Sequence, residues 1–264
     1  MIAKPDTARL EFRQVTKRFA NPRQGGVVVA VEDVTFSIAD GEVVSLIGPS
    51  GCGKSTLLNM GSGLDPATEG QVFVDGELVI RPNRHVAFML QKDLLLPWRT
   101  IRENVELGLE IQGTAAAQRR ETALALLAKC RLSDFVEHYP HQLSGGMRQR
   151  AALARTLAVD PVVLLMDEPF SALDAQTKMV LQQDLGRTLA DTRKTALFIT
   201  HDLVEAIALS DRILVMSHRP GRIIEEIPVE IPGRDNPMTR RQDPKVGVYV
   251  KRLMDLLHVE QAAA

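Results

Sequence analysis

The stretch GPSGCGKST, residues 48–56, decides the fold of this chain of 264 residues. It fits the pattern G-x-x-x-x-G-K-[ST] and follows the apolar run GEVVSLIG (41–48), which predicts a buried strand. GKSTLLNM then has helical spacing, and a glycine-rich loop in this context lets backbone N–H groups and a helix N-terminus surround a phosphate. The motif therefore predicts a P-loop, in which Lys54 reaches the outer phosphates of a nucleotide and Ser55 ligates Mg²⁺.

A pair of acids ends a second apolar run, VVLLMDEP (162–169). This run predicts a buried strand that places Asp167 and Glu168 at its carboxyl end, the edge at which ligands bind in open α/β sheets. One carboxylate can hold Mg²⁺ through water, and the other can polarise an attacking water molecule. Beside a P-loop, this chemistry is favoured over an ordinary strand end with surface acids.

A second candidate anion site is LSGGMRQR (143–150), where a serine and two glycines begin a helix. Backbone N–H groups at such a helix start can bind an anion. Because one nucleotide seldom needs two such sites from one chain, one interpretation of the pair is that two chains each give one site to a shared ATP. From these residues alone, an ordinary helix that begins with glycine is the preferred interpretation.

Strands and helices alternate along most of the chain. The apolar runs KTALFITHD (194–202) and DRILVMS (211–217) predict two further buried strands, so we expect an α/β fold with a largely parallel sheet. Residues 99–158 are rich in alanine and leucine at helical spacing and predict an inserted helical lobe. The sequence also predicts a hairpin with Asp75-Gly76 at its tip and a helix from Lys245.

The composition limits the possible functions. The formal net charge is −1, so no overall attraction to nucleic acid or anionic lipid is implied. Cys52 and Cys130 are too few for a disulfide framework, which favours a reducing compartment. The first residues lack the apolar run of a signal peptide, and no apolar run approaches the roughly 20 residues that span a bilayer.

The motifs together resemble the ATP-binding subunit of ABC transporters along nearly the whole chain. Gln91 in FMLQKD matches the Q-loop of that family, LSGGMRQR matches its signature motif, and LLMDEP matches its Walker B strand. SALD (171–174) matches its D-loop and His201 in FITHD its switch histidine, all in the order of the family. Phe19 in VTKRF stands where the family has an aromatic residue that stacks on adenine.

The resemblance implies a role for each matching residue. Lys54 and the backbone of residues 51–56 bind the phosphates, while Ser55, Gln91 and Asp167 form the metal site. Glu168 is the general base, with Gln91 and His201 as its catalytic neighbours and His201 in contact with the γ-phosphate. Ser144 and Gly146 close over the ATP that the partner subunit holds. The complete set of implied nucleotide-binding residues is Phe19, Gly48, Pro49, Ser50, Gly51, Cys52, Gly53, Lys54, Ser55, Thr56, Ser144, Gly145, Gly146 and Asp174.

The resemblance also implies a fold and an assembly. The fold is a P-loop NTPase core with a mostly parallel sheet, an N-terminal antiparallel β subdomain and an inserted helical subdomain at about 93–158. Residues 1–264 form a single ATP-binding domain, with a C-terminal helical tail at about 243–258. ATP and Mg²⁺ are the expected cofactors.

The expected partners follow from the same resemblance. They are a second ATP-binding subunit, which we expect to be an identical copy, and two permease subunits in the membrane. A periplasmic or lipoprotein solute-binding protein acts indirectly, and no nucleic acid partner is expected. The expected location is peripheral, on the cytoplasmic face of the inner membrane.

Two segments narrow the expected transport class. LLLPWRTIRENV (94–105) and MSHRPGRIIEEIPVEIP (216–232) resemble segments of importers for nitrate, sulfonates, taurine and similar compounds. An importer subunit is therefore expected, and an exporter subunit is the alternative. We expect Trp98, seven residues after Gln91, to contact the permease; packing inside the helical lobe is its alternative role.

Other classes of protein with the same motifs fit less well. Chromosome-maintenance and DNA-repair ATPases insert long coiled-coil arms between P-loop and signature, but here the gap is about 95 residues, without sustained heptads. Translation factors carry two tandem cassettes, whereas this chain has one P-loop and one signature.

The P-loop also contains a cysteine, Cys52. Backbone N–H groups and a helix N-terminus favour a thiolate, so the sequence predicts that Cys52 is reactive when no nucleotide is bound. A small, inert residue that the loop tolerates is the alternative.

Overall fold

The N-terminal sheet is antiparallel, as expected. In the computed structural model, which describes residues 8–20, 25–171 and 173–262, this sheet consists of β1 (Ala8–Ala20), β2 (Val27–Ala39), β4 (Glu69–Val74) and β5 (Glu77–Leu78). Its strand order is β2-β1-β4-β5. Asp75 and Gly76 join β4 to β5 with positive φ angles of 51° and 79°, the backbone that the two central residues of a tight hairpin turn adopt. The predicted hairpin is therefore present.

The central sheet is mostly parallel and buried. It consists of β3 (Val43–Ile47), β6 (Val86–Met89), β7 (Val163–Asp167), β8 (Thr195–Ile199), β9 (Arg212–Met216) and β10 (Ile223–Pro228). The strand order is β10-β9-β3-β8-β7-β6, with parallel neighbours except for the antiparallel pair of β10 and β9. All five residues of β3 and of β8 are buried, which explains why the apolar runs predicted these strands correctly.

Three helices lie between β6 and β7, in the region that the sequence predicted as helical. They are α2 (Ile101–Ile111), α3 (Ala116–Lys129) and α4 (Gly145–Ala158), with 3₁₀ turns at Ser133–Phe135 and Pro140–Gln142. Thr100 and Glu103 form a capping box at the start of α2. Residues 93–100 have no helical structure, so the helices begin later than the expected subdomain boundary at about 93. The division of the chain into subdomains stays a prediction.

The remaining helices cover the central sheet and end the chain. They are α1 (Lys54–Ser62), α5 (Ala175–Thr192), α6 (Leu203–Leu209), α7 (Pro237–Arg240) and α8 (Lys245–Ala262). The helix predicted from Lys245 is present, and its residues Val246 and Leu253 pack in a cluster with Ile227 of β10. One core joins the helical region to the central sheet, and another joins the N-terminal sheet and α1 to it. The α/β class that the sequence predicted is confirmed.

Candidate functional site

The P-loop joins the carboxyl end of β3 to the start of α1 and depends on Gly53. This glycine caps α1 in the left-handed region, with a φ of 108°. A Cβ built on it would lie 2.4 Å from Val31 Cγ1 and 3.0 Å from the carbonyl oxygen of Ala30. Only glycine fits both this backbone and this space. The loop is therefore shaped by its contact with β2.

Lys54 is held over the P-loop by the loop's own backbone. Its Nζ donates hydrogen bonds of 2.8 Å to the carbonyl oxygens of Gly48 and Pro49. Neutral carbonyls are weaker partners for an ammonium group than ionised phosphate oxygens. The side chain can therefore exchange these bonds for a phosphate.

The two acids lie at the end of β7, facing the P-loop. The Ser55 side chain lies close enough to Asp167 to lower the pKa of its carboxyl. Burial raises the pKa of Asp167, and the nearby charge of Glu168 also raises it, against the lowering effects of Ser55 and Lys54. The predicted metal-site residues Ser55 and Asp167 thus place a hydroxyl and a carboxylate near each other in the lining of one cleft.

Glu168 is the centre of a cluster of side chains from three strand ends. Gln91 Nε2 donates a hydrogen bond of 3.1 Å to Glu168 Oε2, and His201 Nδ1 lies 3.4 Å from Glu168 Oε1. Glu168 has a positive φ of 47°, which is uncommon for a residue other than glycine and is typical of functional sites. The structure thus brings together the three residues that the sequence predicted as catalytic.

An open cleft of about 580 Å³ is lined by P-loop residues together with Asp167 and Glu168. Phe19, exposed over 41% of its surface, stands on its wall, and Lys17 Nζ lies 5.2 Å from the centre of its ring. The cleft is of a size that accepts a nucleotide-sized ligand. The predicted residues that line the cleft are Phe19, Ser50, Gly51, Gly53, Lys54, Ser55, Thr56, Asp167 and Glu168.

The predicted signature and D-loop residues lie elsewhere, at two neighbouring helix starts outside the described lining of the cleft. Ser144 caps α4 by accepting a hydrogen bond of 3.3 Å from Met147 N, and Asp174 caps α5 by accepting one of 3.0 Å from Thr177 N. The backbone hydrogen bond from Thr177 lowers the pKa of Asp174. Gly146 packs against Thr177, where a Cβ would lie 2.6 Å from its Cγ2. Ser144, Gly145 and Asp174 are exposed, so these helix starts form an open surface.

Cys52 does not behave as the sequence predicted. Its side chain is 1% exposed and packs in the core beside α1, instead of facing the cleft. Burial raises the pKa of the Cys52 thiol, and this outweighs the lowering effect of Lys54. The expectation of a reactive thiolate is wrong, because burial disfavours the charged thiol more than the nearby backbone N–H groups and the Lys54 ammonium, 3.8 Å from its Sγ, favour it.

Slow labelling of both cysteines is expected in the native protein. Cys130 is also buried, which raises its pKa to about 12, so neither thiol is accessible and ionised at neutral pH. Maleimide at pH 7 should react at least about tenfold more slowly with native protein than with protein unfolded in urea. Rapid labelling that the Cys52→Ser change removes would contradict the burial of this side chain.

A buried asparagine fixes the loop that carries Trp98. Asn104 Nδ2 donates to the carbonyl oxygens of Leu96, Arg99 and Thr100 at 3.1, 3.1 and 2.9 Å, and its Oδ1 accepts from Leu96 N at 2.7 Å. Trp98 itself is 71% exposed. Packing inside the helical region, its alternative role, is therefore excluded.

Among the described lining residues of the cleft, one with a charged side chain was not predicted from the sequence. Arg219 lines the cleft, and its Nη2 and Nε donate hydrogen bonds of 3.0 and 3.2 Å to the carbonyl oxygen of Gly51. In sequence, the segment RPGRI only resembles a segment of a group of importers. No local pattern indicated that it lies against the P-loop.

No described helix is long and apolar enough to cross a membrane.

Comparison with known proteins gives consistent matches. A family model described as ABC transporter matches residues 31–171. The nitrate import ATP-binding protein NrtD of Synechocystis is 42% identical over 253 residues, 94% of each chain. The taurine import ATP-binding protein TauB of Yersinia pestis is 46% identical over 198 residues, 75% of this chain and 78% of TauB. The dimeric ATP-binding cassette MJ0796, solved with ADP and Pi, superposes with a TM-score of 0.75 and 34% identity, over 84% of this chain and 99% of that one.

Proposed function

This chain belongs to the ABC transporter family as one of its ATP-hydrolysing subunits, and from that membership we propose that it drives the import of a small solute. The main observation in favour of this proposal is that Gln91 and His201 surround Glu168 beside the P-loop cleft, an arrangement that supports ATP hydrolysis. The relatives NrtD and TauB, named as import proteins, support uptake of nitrate, taurine or a similar sulfonate.

The cleft provides separate places for the parts of ATP. The N–H groups of residues 51–56 and the ammonium of Lys54 bind the phosphates, and Phe19 stacks on adenine. Ser55 and Asp167 fit Mg²⁺, because a hydroxyl and a carboxylate oxygen are ligands that this hard cation prefers. The side-chain amide oxygen of Gln91 would be a third ligand of the metal ion. When bound, Mg²⁺ would neutralise phosphate charge.

Glu168 acts as the general base in this proposal. Its carboxylate takes a proton from the attacking water, while Gln91 and His201 hold the carboxylate in place. His201 is exposed and can also contact the γ-phosphate. The protein's part in catalysis is thus mainly positioning and proton transfer.

A second copy of the chain completes each site. Ser144, Gly145, Gly146 and Asp174 lie outside the described lining of their own cleft, on the open surface at the starts of α4 and α5. Closing this surface over the ATP of a partner would place a second helix N-terminus at the phosphates. The dimeric cassette MJ0796 supports such an arrangement.

The loop with Trp98 is the proposed contact with the permease. The subunit would bind there from the cytoplasmic face of the membrane, in an assembly with two permease subunits and an external solute-binding protein. Trp98 is an exposed aromatic anchor on a loop that Asn104 holds rigid. Gln91, in contact with Glu168, begins the same segment, so closure at the nucleotide can reach the permease.

Uptake by vesicles tests the proposed function. The subunit, ATP and Mg²⁺ are enclosed in right-side-out vesicles whose membrane contains the permease. The binding protein and labelled nitrate or taurine are added outside. We expect ATP-dependent accumulation that the Glu168→Gln change removes. ATP-dependent release of labelled solute that has been loaded into such vesicles would instead identify the alternative, an exporter subunit.

The Trp98→Ala change should weaken coupling to the permease. We expect the isolated subunit to keep its melting temperature within about 2 °C, because the side chain is exposed. In the assembled transporter, stimulation of ATP hydrolysis by the loaded binding protein should fall at least about tenfold, since loss of an aromatic anchor costs about 2 kcal/mol or more.

Ile111→Ala is the matched control for this change. Ile111 is 78% exposed at the far end of α2, and its removal should leave coupling intact. Equal stimulation in the Trp98→Ala variant and the wild type would contradict the proposed contact.

A further inference from the structure

The connection between β9 and β10, residues 217–222, lies directly on the P-loop. Gly221 N donates a hydrogen bond of 3.0 Å to the carbonyl oxygen of Ala30, and Gly221 O accepts one of 3.0 Å from Glu32 N. A Cβ on Gly221 would lie only 2.0 Å from the carbonyl oxygen of Cys52. This connection, which we call the β9–β10 loop, is therefore fixed between β2 and the P-loop.

Arg219 extends from this fixed loop into the nucleotide cleft. Its guanidinium is exposed and lines the same cleft as Lys54 and Phe19. Two of its N–H groups share one neutral acceptor, the carbonyl oxygen of Gly51. Among the described residues the guanidinium has no carboxylate partner. Donors therefore remain available to a ligand in the cleft.

The charges of the cleft favour an anionic ligand at Arg219. Lys54 and Arg219 are the cationic side chains among the described lining residues, and Asp167 and Glu168 are the acidic ones. The acids lie beside Ser55 and Gln91, whereas Arg219 contacts the P-loop at Gly51. A guanidinium gains more from an ionised phosphate than from a backbone carbonyl, because charge-assisted bonds are stronger.

We propose that Arg219 is a nucleotide-binding residue, which gives its guanidinium to the phosphate chain of the ATP bound to its own subunit. The inference rests on the proposed function of the cleft and adds a second cation to it, from the β9–β10 loop. The affinity for nucleotide thereby depends on a segment that is distant from the P-loop in sequence, since Arg219 and Gly51 are 168 residues apart.

Equilibrium binding of Mg-ATP to the full chain tests the proposal. We expect Arg219→Gln to raise the Kd at least about tenfold, as for the loss of a hydrogen bond to a charged group. Arg219→Lys should recover part of the affinity, because it keeps the charge. The ratio of the Kd values of Arg219→Gln and wild type should shrink as salt rises, because salt screens an exposed charge.

Arg222→Gln is the matched control from the same loop. Arg222 is exposed and pairs with Glu32 at 2.6 Å, outside the described lining of the cleft. Its removal should change the Kd less than about twofold, as for a surface ion pair. A Kd for Arg219→Gln within twofold of wild type, or equal losses in both variants, would overturn the proposal.

A melting experiment separates binding from support of the P-loop. Without nucleotide, Arg219→Gln should melt within about 2 °C of wild type, and the stabilisation by Mg-ATP should be smaller in the variant. A lower melting temperature without nucleotide, together with a salt-independent Kd ratio, would show a structural role instead. If the wild type does not bind Mg-ATP, the proposed function of the cleft is wrong. If the wild type binds Mg-ATP and the Lys54→Ala variant does not, the P-loop cleft is the nucleotide site, and the Arg219 variants then test only the role of Arg219.

Discussion

The Glu168→Gln change is expected to lower ATP turnover by about a hundredfold or more while ATP binding persists, as for the loss of a general base. Glutamine keeps the shape of the side chain and removes its ability to accept a proton from water. Gln91 and His201 lie 3.1 and 3.4 Å from the carboxylate, so a similar amide can be held in place. Because ATP would then remain uncleaved, the variant should accumulate as an ATP-bound dimer.

Phosphate release and size-exclusion chromatography with Mg-ATP measure the two parts of this expectation. Glu121→Gln is a suitable control, since Glu121 is an exposed acid on α3. Turnover above about a tenth of the wild-type value would show that Glu168 is not the base. Loss of ATP binding in the variant would point to a role of its charge in the metal site.

The Gly221→Ala change is expected to destabilise the protein and its nucleotide site together. The added methyl group would lie 2.0 Å from Cys52 O and 2.6 Å from Met216 Cε, so the P-loop or the β9–β10 loop must move. Overpacking of this kind costs about 2–3 kcal/mol in the free energy of unfolding. The melting temperature should fall by about 5–10 °C, and the Kd for Mg-ATP should rise.

Calorimetry of the two variants Gly221→Ala and Gly247→Ala gives a matched comparison. Gly247 lies on an exposed turn of α8, and a Cβ there would have no atom within 4 Å. Alanine at this position should stabilise the helix by up to about 1 kcal/mol. An unchanged melting temperature for Gly221→Ala would contradict the close approach of the two loops.

The sequence predicted the parts of the site whose cause is local. The P-loop needs a glycine at residue 53 for its backbone, and apolar runs before residues 48 and 167 revealed the strands that position it. The hairpin at Asp75-Gly76 was also predictable, because a turn with two positive φ angles selects such a pair.

The contacts that the sequence did not reveal join distant segments. The approach of Gly221 to Cys52, and of Arg219 to Gly51, depends on the order β10-β9-β3, which brings the β9–β10 loop to the end of β3. The burial of the Cys52 thiol is not visible in the sequence for a similar reason: its direction, into the core beside α1, is decided by packing rather than by its neighbours in sequence.

The position of β8 in the sheet has a consequence for biosynthesis. This strand is hydrogen-bonded to β3 on one side and to β7 on the other. Among the described strands, it alone joins the strand before the P-loop to the strand before Glu168. Thr195–Ile199 is also made after both neighbours. A growing polypeptide therefore cannot assemble these two halves until about three quarters of the chain has been synthesised, since long-range strand pairing must wait for the later strand.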